Sequence, residues 1–402
     1  MMQRTGLIGG MAMALLLFIG LPRTAQAQQV LLPDTAHAMV KEGLDYVYNL
    51  EYAKGDALFM KLKEMYPEHP AGEFLLALND WWRIKPNIAD DNAVARYSKS
   101  FGEHLDRTIE MSNALLAENE FDIVGLFFKG AAYGYRARLK ATTNPNTNSL
   151  TDWYGIFRDA NEGRKALLGA QRIVPGNSDI LLGSGLFNYY VDAMPKRYPI
   201  LKAVTLPPGD KDIGLKMLRI SASRALYSAV EADYALIEIL TNFEREYREA
   251  LAISERLHRT YPNNPDFHKY FARNLYYTRK YDLAYTEWGK LMRKVKGGQG
   301  GFELSLVRQG LYYMGDIKLR KGDPKKAVEI FTEALKVNQR LDEESSGYYV
   351  ATMLRLGNAY DLLGQRKKAI EMYEDVLDND YSGANNRYHN EAREFIKTPY
   401  KK

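Results

Sequence analysis

Apolar residues along most of the chain recur at intervals of three and four, which is the spacing of one face of an α-helix. The clearest stretches are 310–335 and 353–373, each with an apolar helix, a glycine turn and a second helix that opens with basic residues. In both, an alanine follows a glycine after 12 residues, and an aromatic residue follows that alanine after 4. These triplets are Gly315, Ala327 and Phe331, and Gly357, Ala369 and Tyr373. Since no run alternates β-branched residues between hairpin turns, the pattern predicts an all-α fold essentially without sheet.

The same unit continues towards the N-terminus with decreasing clarity. Ala250 and Ala284 are 34 residues apart, and the next two alanines, Ala327 and Ala369, follow at distances of 43 and 42. This spacing predicts loops of eight or nine residues inserted between the last units. Near the N-terminus the matching residues are Gly43, Gly55, Phe59 and Pro67.

Proline-containing turns mark three helix ends, at 66–70, 174–178 and 261–265, because a proline just past a helix stops it and Ser or Asn then caps the next one. Two stretches interrupt the helical pattern. Ala141–Leu150 is polar and predicts a loop, whereas Pro195–Asp212 is an apolar, basic and proline-rich insert.

The repeated units resemble the tetratricopeptide repeat, a 34-residue helix-turn-helix motif with a small residue at position 8, alanine at 20, an aromatic residue at 24 and often proline at 32. The resemblance is strong in 305–381, fair in 228–292 and 36–70, and weak in 71–224. It implies helical hairpins stacked as a right-handed α-solenoid. A generic helical bundle is the alternative, chiefly for the middle of the chain.

A shorter resemblance lies in that middle part. The segments 185–188, 195–196 and 209–215 are similar to the central segment of the eukaryotic tetratricopeptide repeat protein 39 family, which supports a repeat fold and adds no catalytic residue. The expected organisation is a signal peptide at 1–27 followed by one solenoid at 28–402. Degenerate repeats fill 28–224 with the insert 195–212, clearer repeats fill 228–381, and a capping helix closes the array at about 385–397.

The first residues have the layout of a secretory signal. A short basic start is followed by the uncharged apolar run Leu7–Ile19 and by a cleavage pattern, Ala25-Gln26-Ala27. The run is 13 residues long, shorter than the roughly 20 that span a bilayer. We therefore expect cleavage before Gln28 and export to the periplasm or envelope of a bacterium. Because Gln28 stands where a lipoprotein has cysteine, we expect no lipid anchor.

Composition narrows the function classes. The 402 residues carry 55 Lys and Arg against 50 Asp and Glu, a balance too even for a dedicated nucleic-acid binder. With no cysteine, thiolate metal sites and thiol nucleophiles are excluded. No protease, esterase or P-loop motif occurs, and Gly297–Gly301 is interpreted as a loop between repeats. The six histidines form no i, i+4 pair, so we expect no metal, no cofactor and no enzymatic activity.

Two functions fit this architecture. The first is an exported scaffold that binds an extended peptide or partner segment in its concave groove. The second is an envelope or outer-membrane assembly factor that contacts membrane proteins, or peripherally the membrane, through the insert 195–212. An enzyme with an unrecognised site is a third, which no motif supports.

The repeat register predicts which side chains face the groove. In the resembling family these are positions 2, 5, 9, 12 and 13 of each first helix. The register predicts a basic, aromatic surface suited to an acidic or C-terminal carboxylate segment. Its residues are Lys269, Arg273, Tyr276, Tyr277, Tyr312, Asp316 and Asn358. Asn358 matches an asparagine that peptide-binding family members use at position 9, although their full carboxylate clamp does not match. The alternative is that the tyrosines are core residues and the cations are solvated; both cations are expected to be exposed.

Overall fold

Seventeen α-helices form the described part of the chain, which contains no strand. A computed structural model describes residues 29–87, 91–143, 149–193, 206–341, 347–379 and 385–401. The first nine helices are α1 (His37–Tyr48), α2 (Tyr52–Met65), α3 (Ala71–Ile84), α4 (Asp91–Glu118), α5 (Ile123–Thr143), α6 (Leu150–Ile173), α7 (Ile180–Ala193), α8 (Lys211–Arg224) and α9 (Ala229–Ile239). The other eight are α10 (Tyr247–Thr260), α11 (Pro265–Tyr277), α12 (Tyr281–Lys296), α13 (Leu304–Arg320), α14 (Pro324–Arg340), α15 (Gly347–Leu362), α16 (Arg366–Asp378) and α17 (Asn385–Lys397).

The all-α prediction is confirmed, and so are the three helix ends. Helices α2, α6 and α10 end at Met65, Ile173 and Thr260, directly before the proline turns. Asn264 then caps α11, since its side-chain oxygen accepts hydrogen bonds from two backbone N–H groups of the first turn. The predicted leader 1–27 and residues 195–205 of the insert lie outside the described residues.

Helical hairpins build the array. Each helix packs against the next along the chain, and in the C-terminal part α11 also contacts α13, α13 contacts α15, and α15 contacts α17. This pairing of every second helix is what stacked hairpins require.

Glycine opposite an aromatic ring sets the closest helix contacts. A Cβ added at Gly315 would lie 2.5 Å from the ring of Phe331, and one at Gly357 would lie 2.4 Å from the ring of Tyr373. The N-terminal pair, Gly43 and Phe59, is equally close at 2.4 Å. Only glycine permits this approach, so the structure explains the 16-residue spacing between these positions.

The inserted residues between the last units are not only loops. Helix α13 begins at Leu304 and α15 begins at Gly347, several residues before the repeat register begins the corresponding units. The prediction of loops of eight or nine residues was therefore wrong in part, because some of the extra residues lengthen helices. The glycines of 297–301 do lie in the turn between α12 and α13, where Gly298 and Gly301 have positive φ angles of 68° and 78°.

The N-terminal helices also pack against helices far along the chain. Tyr261 donates a hydrogen bond to Asp45 at 2.7 Å, and Asn264 donates to the backbone oxygen of Tyr48 at 2.9 Å. The indole of Trp82 donates to Glu231 at 2.5 Å. One hydrophobic cluster accordingly runs from α1 to α11, so this half of the array closes on itself instead of extending as an open spiral.

The described end of the insert packs against the array. Leu206 is buried beside Ile156, Phe157 and Val191, and a Cβ at Gly209 would lie 2.4 Å from the backbone oxygen of Asn188. Residues 206–210 therefore serve as a packed entry to α8. None of the described helices combines the length and the apolar character needed to span a membrane.

Candidate protein-interaction groove

Half-buried tyrosine rings from α11, α13 and the start of α15 pack side by side around the buried Tyr313. Tyr276 lies 4.9 Å from Tyr313, measured between ring centroids, and Tyr312 lies 5.6 Å from Tyr348. Arginines from the same helices lie among these rings. We call this surface the tyrosine–arginine groove; its residues are Arg273, Tyr276, Tyr277, Tyr312, Tyr313, Asp316, Arg320, Tyr348 and Arg355. Flat rings and guanidinium groups are the side chains that bind extended peptides at low entropic cost.

Arg273 is a cation without a carboxylate partner among the described residues. Its guanidinium donates one hydrogen bond, to the side chain of Asn242 at 3.1 Å, while its buried Nε has no acceptor. The group lies 5.3 Å from the centroid of Tyr270 and 6.0 Å from that of Tyr277. Its positive charge is therefore balanced only by aromatic faces, which leaves it able to bind an anion.

Asp316 holds the centre of the groove together. It is 2% exposed, and it accepts hydrogen bonds from the hydroxyl of Tyr276 and from Nε of Arg320. Arg355 lies 3.4 Å away on the other carboxylate oxygen. Burial and the charge of Asp316 raise the pKa of Tyr276, so this hydroxyl stays protonated and keeps its donor role. Arg355 also lies 3.8 Å from Glu391, so these two arginines are balanced by two carboxylates.

Lys269 and Arg273 are less accessible than the sequence predicted. The Lys269 side chain is 17% exposed and its ammonium is paired with Asp266, a carboxylate that is itself buried. Arg273 is half-buried between its aromatic neighbours. The expectation that both cations are exposed was therefore wrong, because α11 is packed on both sides and its polar side chains are drawn into the array.

Asn358 does not line the groove. Its side chain is fully buried. The amide oxygen accepts a hydrogen bond from Arg355 at 2.9 Å, and the amide nitrogen donates to the hydroxyl of Tyr373 at 3.0 Å. Tyr373 occupies the position where the neighbouring repeat has Phe331. Its extra hydroxyl needs a partner inside the hairpin, and Asn358 provides it.

Of the remaining predicted residues, Tyr276, Tyr277 and Tyr312 are half-buried and lie together in the groove, whereas Asp316 is buried beneath it. Sequence reasoning missed Tyr348. Its ring packs edge-on against Tyr312, and the guanidinium of Arg308 lies 5.7 Å from its ring centroid. The sequence analysis placed residue 348 in an inserted loop, so its position on helix α15 was not considered.

One group of side chains has the composition of a metal site. His258, His268 and Glu287 bring their ligand atoms within 4.8 Å of one another. The two imidazoles are stacked face to face, with centroids 4.0 Å apart and planes 17° apart. Because lone pairs lie in the ring plane, stacked rings aim them side by side and not at a common point. The arrangement is an aromatic stack anchored by a hydrogen-bonding distance of 3.0 Å between His268 and Glu287.

Comparison with known proteins identifies a repeat in the C-terminal part of the chain, which includes the α13 and α15 side of the groove. Residues 307–382 match the family model of the tetratricopeptide repeat. The match covers α13 to α16, which contain Tyr312, Asp316, Arg320 and Arg355. No curated protein matches the chain.

Solved structures that match the chain are distant in sequence and have TM-scores below 0.4. Yeast Tom70 is 11% identical with a TM-score of 0.36, and the alignment covers 88% of this chain and 86% of that one. The P58(IPK) tetratricopeptide domain is 11% identical with a TM-score of 0.24, covering 92% and 100%. A monomeric IFIT1 mutant bound to Gppp-AAAA is 11% identical with a TM-score of 0.33, covering 88% and 99%.

Proposed function

We propose that this protein is a tetratricopeptide repeat scaffold exported to the bacterial cell envelope, and that it binds an extended acidic segment of a partner protein in the tyrosine–arginine groove. Stacked helical repeats form long concave surfaces suited to such segments. In this proposal the protein acts by binding, with no catalytic step and no cofactor.

The observation that carries the proposal is Arg273. A half-buried guanidinium with no carboxylate partner among the described residues gains from a ligand that supplies the negative charge. Tyr277 and Tyr312 lie on the same surface and offer flat apolar area beside it. A side-chain or C-terminal carboxylate of a peptide fits this combination, because arginine binds carboxylates through two parallel hydrogen bonds.

The test uses a pool of random peptides with free carboxyl termini, selected on the wild-type protein. The enriched peptides should be acidic, and their affinity should fall about tenfold or more in Arg273→Gln, which removes the charge but keeps much of the length. Arg293→Gln is the matched control, because Arg293 is exposed on α12 and is not part of the groove. Retained affinity in a folded Arg273→Gln protein would refute the proposal.

The export part has its own test. The apolar run and the cleavage pattern before Gln28 support export, and N-terminal sequencing of protein recovered from the envelope fraction should start at Gln28. An intact Met1 in that fraction would contradict cleavage and leave the groove proposal standing.

A further inference from the structure

A large cavity lies inside the closed N-terminal half. Its volume is about 650 Å³, which is within the range of roughly 300–1,000 Å³ typical of small-molecule sites. Side chains from α1, α3, α5, α6, α7 and α9 form its walls, and most of them are apolar, with Leu78, Phe127, Ile156, Phe157 and Leu186 among them. Protein interiors are normally packed to the density of organic crystals, so an apolar space of this size needs an occupant.

The contacts that close this half of the array create the cavity. The bond from Trp82 to Glu231 and the ion pair of Lys85 with Glu238 at 2.8 Å fix α3 against α9, across the interior from α6 and α7. These two contacts hold α3 and α9 together on one side of the space. A cavity with a wall fixed in this way is preformed for a ligand.

An apolar mouth leads into the cavity. Tyr190 and Phe243 both line it, although 38% and 58% of their surfaces are exposed to solvent, and their rings lie 6.4 Å apart. Phe243 belongs to a π-helical turn, Leu240–Glu244, a local geometry that is rare and frequent at functional sites. Two exposed aromatic rings at an opening indicate that an apolar group enters there.

Charged side chains in the cavity wall indicate that the ligand has a polar group as well as an apolar one. Lys85 and Arg138 face Glu238, at 2.8 and 3.2 Å, and Arg138 lies 3.7 Å from Glu231. This set of four is internally neutral.

Arg164 differs from that set. It also lines the cavity, its guanidinium lies 5.4 Å from the ring centroid of Phe187, and its buried Nε has no hydrogen-bond acceptor. No carboxylate among the described residues is paired with it. The remaining lining carboxylate, Asp179, is held by the backbone N–H groups of Tyr227 and Ser228. Arg164 is therefore the cation of the cavity that has no paired carboxylate among the described residues, and it calls for an anion.

From these observations we infer that the cavity binds a long-chain amphiphile with an anionic head, of the fatty-acid class. The acyl chain lies along the apolar wall and the head binds Arg164. This site is distinct from the tyrosine–arginine groove, since the two share no helix and no lining residue, although Asn242 of the cavity wall accepts a hydrogen bond from Arg273 of the groove. If the cavity binds no amphiphile, the proposed peptide site still stands, and if the groove binds no peptide, the cavity inference still stands.

The test is calorimetric titration of the full chain with dodecanoate below its micelle concentration, with dodecanol and dodecyltrimethylammonium as probes of the head group. We expect one saturable site for dodecanoate, weaker binding of the alcohol and weakest binding of the cation. Shortening the carboxylate should weaken binding by about fourfold for each methylene removed.

Substitutions locate the site. Ala160→Phe and Ala131→Leu each fill part of the cavity from a different helix, and either should reduce dodecanoate affinity at least tenfold while the protein keeps its helical circular dichroism. Arg164→Met should weaken dodecanoate about tenfold and leave dodecanol unchanged, whereas Arg172→Met, an exposed cation on the same helix, should change neither. Absence of saturable binding to the wild-type protein overturns the inference, and so does affinity that is unchanged in both filled variants. Equal loss of dodecanoate and dodecanol in Arg164→Met overturns the role of the anionic head.

Discussion

Small residues at fixed positions decide how closely the helices of a hairpin approach. Ala369 and Ala334 are both completely buried, the first beside Val350 and Tyr373 and the second beside Leu311 and Val337. Their methyl groups fill the contact without a gap. A longer side chain at either position has no space unless the helices separate.

We predict that Ala369→Leu and Ala334→Leu each lower the free energy of unfolding by about 1–3 kcal/mol, because overpacking forces strained rotamers or a backbone shift. Urea unfolding followed by circular dichroism measures it. Ala252→Leu is the control, since Ala252 is exposed on α10 and the change should have little effect there. Wild-type stability in both buried variants would show that the register assigned to these repeats is wrong.

The stacked histidines give a second prediction at this scale. Burial, and then the neighbouring His268, lowers the pKa of His258 to about 3. Its folded pKa thus lies below the unfolded value of about 6.5, so the stability of the neutral ring is present above pH 6.5 and is lost as the pH falls towards 3. Glu287 acts in the same direction, because its pKa is held at about 2 by His268 despite burial.

We therefore expect the wild-type protein to lose stability between pH 6.5 and 4, with His258 adding up to about 1.4 kcal/mol per pH unit to the slope. His258→Phe keeps an aromatic ring on His268 and should flatten that slope while changing stability little at pH 7.5. Urea unfolding at several pH values measures both. An identical slope in the variant would mean that His258 does not titrate with unfolding.

At the scale of elements, the sequence was sufficient where a signal is local. Helix ends followed from proline and asparagine, and the repeat register followed from Gly315, Gly357 and their aromatic partners. Contacts between distant helices have no such signal: nothing near Trp82 indicates that its indole meets Glu231, 149 residues away. For the same reason the cavity was not foreseen. Asn358 was misplaced because only the structure shows that the hydroxyl of Tyr373 turns inwards.

Asn264 makes one local contact and one long-range contact, and comparing it with a residue that makes only the local contact separates their effects on stability. Its side chain caps α11 and also donates to the backbone oxygen of Tyr48 at 2.9 Å. Asp323 caps α14 in a similar way, accepting a hydrogen bond from the N–H of Lys326 at 3.1 Å, but it is exposed and makes no long-range hydrogen bond to the described residues.

We predict that Asp323→Ala costs about 1 kcal/mol, the usual value for a lost cap. Asn264→Ala should cost about 1–3 kcal/mol more, because it also leaves the Tyr48 carbonyl buried without its donor. Chemical unfolding of both variants gives the difference. Equal costs would mean that the contact between α1 and α11 adds nothing to stability.

At the scale of the molecule, the two halves present different surfaces. The N-terminal half closes on itself around an apolar cavity, whereas α11 to α17 expose a groove rich in tyrosine and arginine. The insert joins the first of these halves at Leu206, which lines the cavity and is 6% exposed. Two roles remain for residues 195–205: support of the fold, as the packing of 206–210 suggests, or contact with a membrane or partner.

The decisive variant replaces 195–205 with a Gly-Ser linker of equal length and keeps Leu206 to Asp212, so that the cap of α8 by Asp210 is retained. The segment contains Lys196, Arg197 and Lys202 together with Tyr198, Ile200, Leu201 and Val204. A contact role predicts normal circular dichroism and an unchanged melting temperature, with loss of cosedimentation with anionic vesicles or envelope membranes. A supporting role predicts a lower melting temperature instead, because apolar side chains removed from a packed site lose their burial.

A control that changes only the three cations to glutamine keeps the apolar residues, so it should abolish vesicle binding without altering the melting temperature if contact is electrostatic. Normal stability together with normal membrane association in both variants would contradict either role.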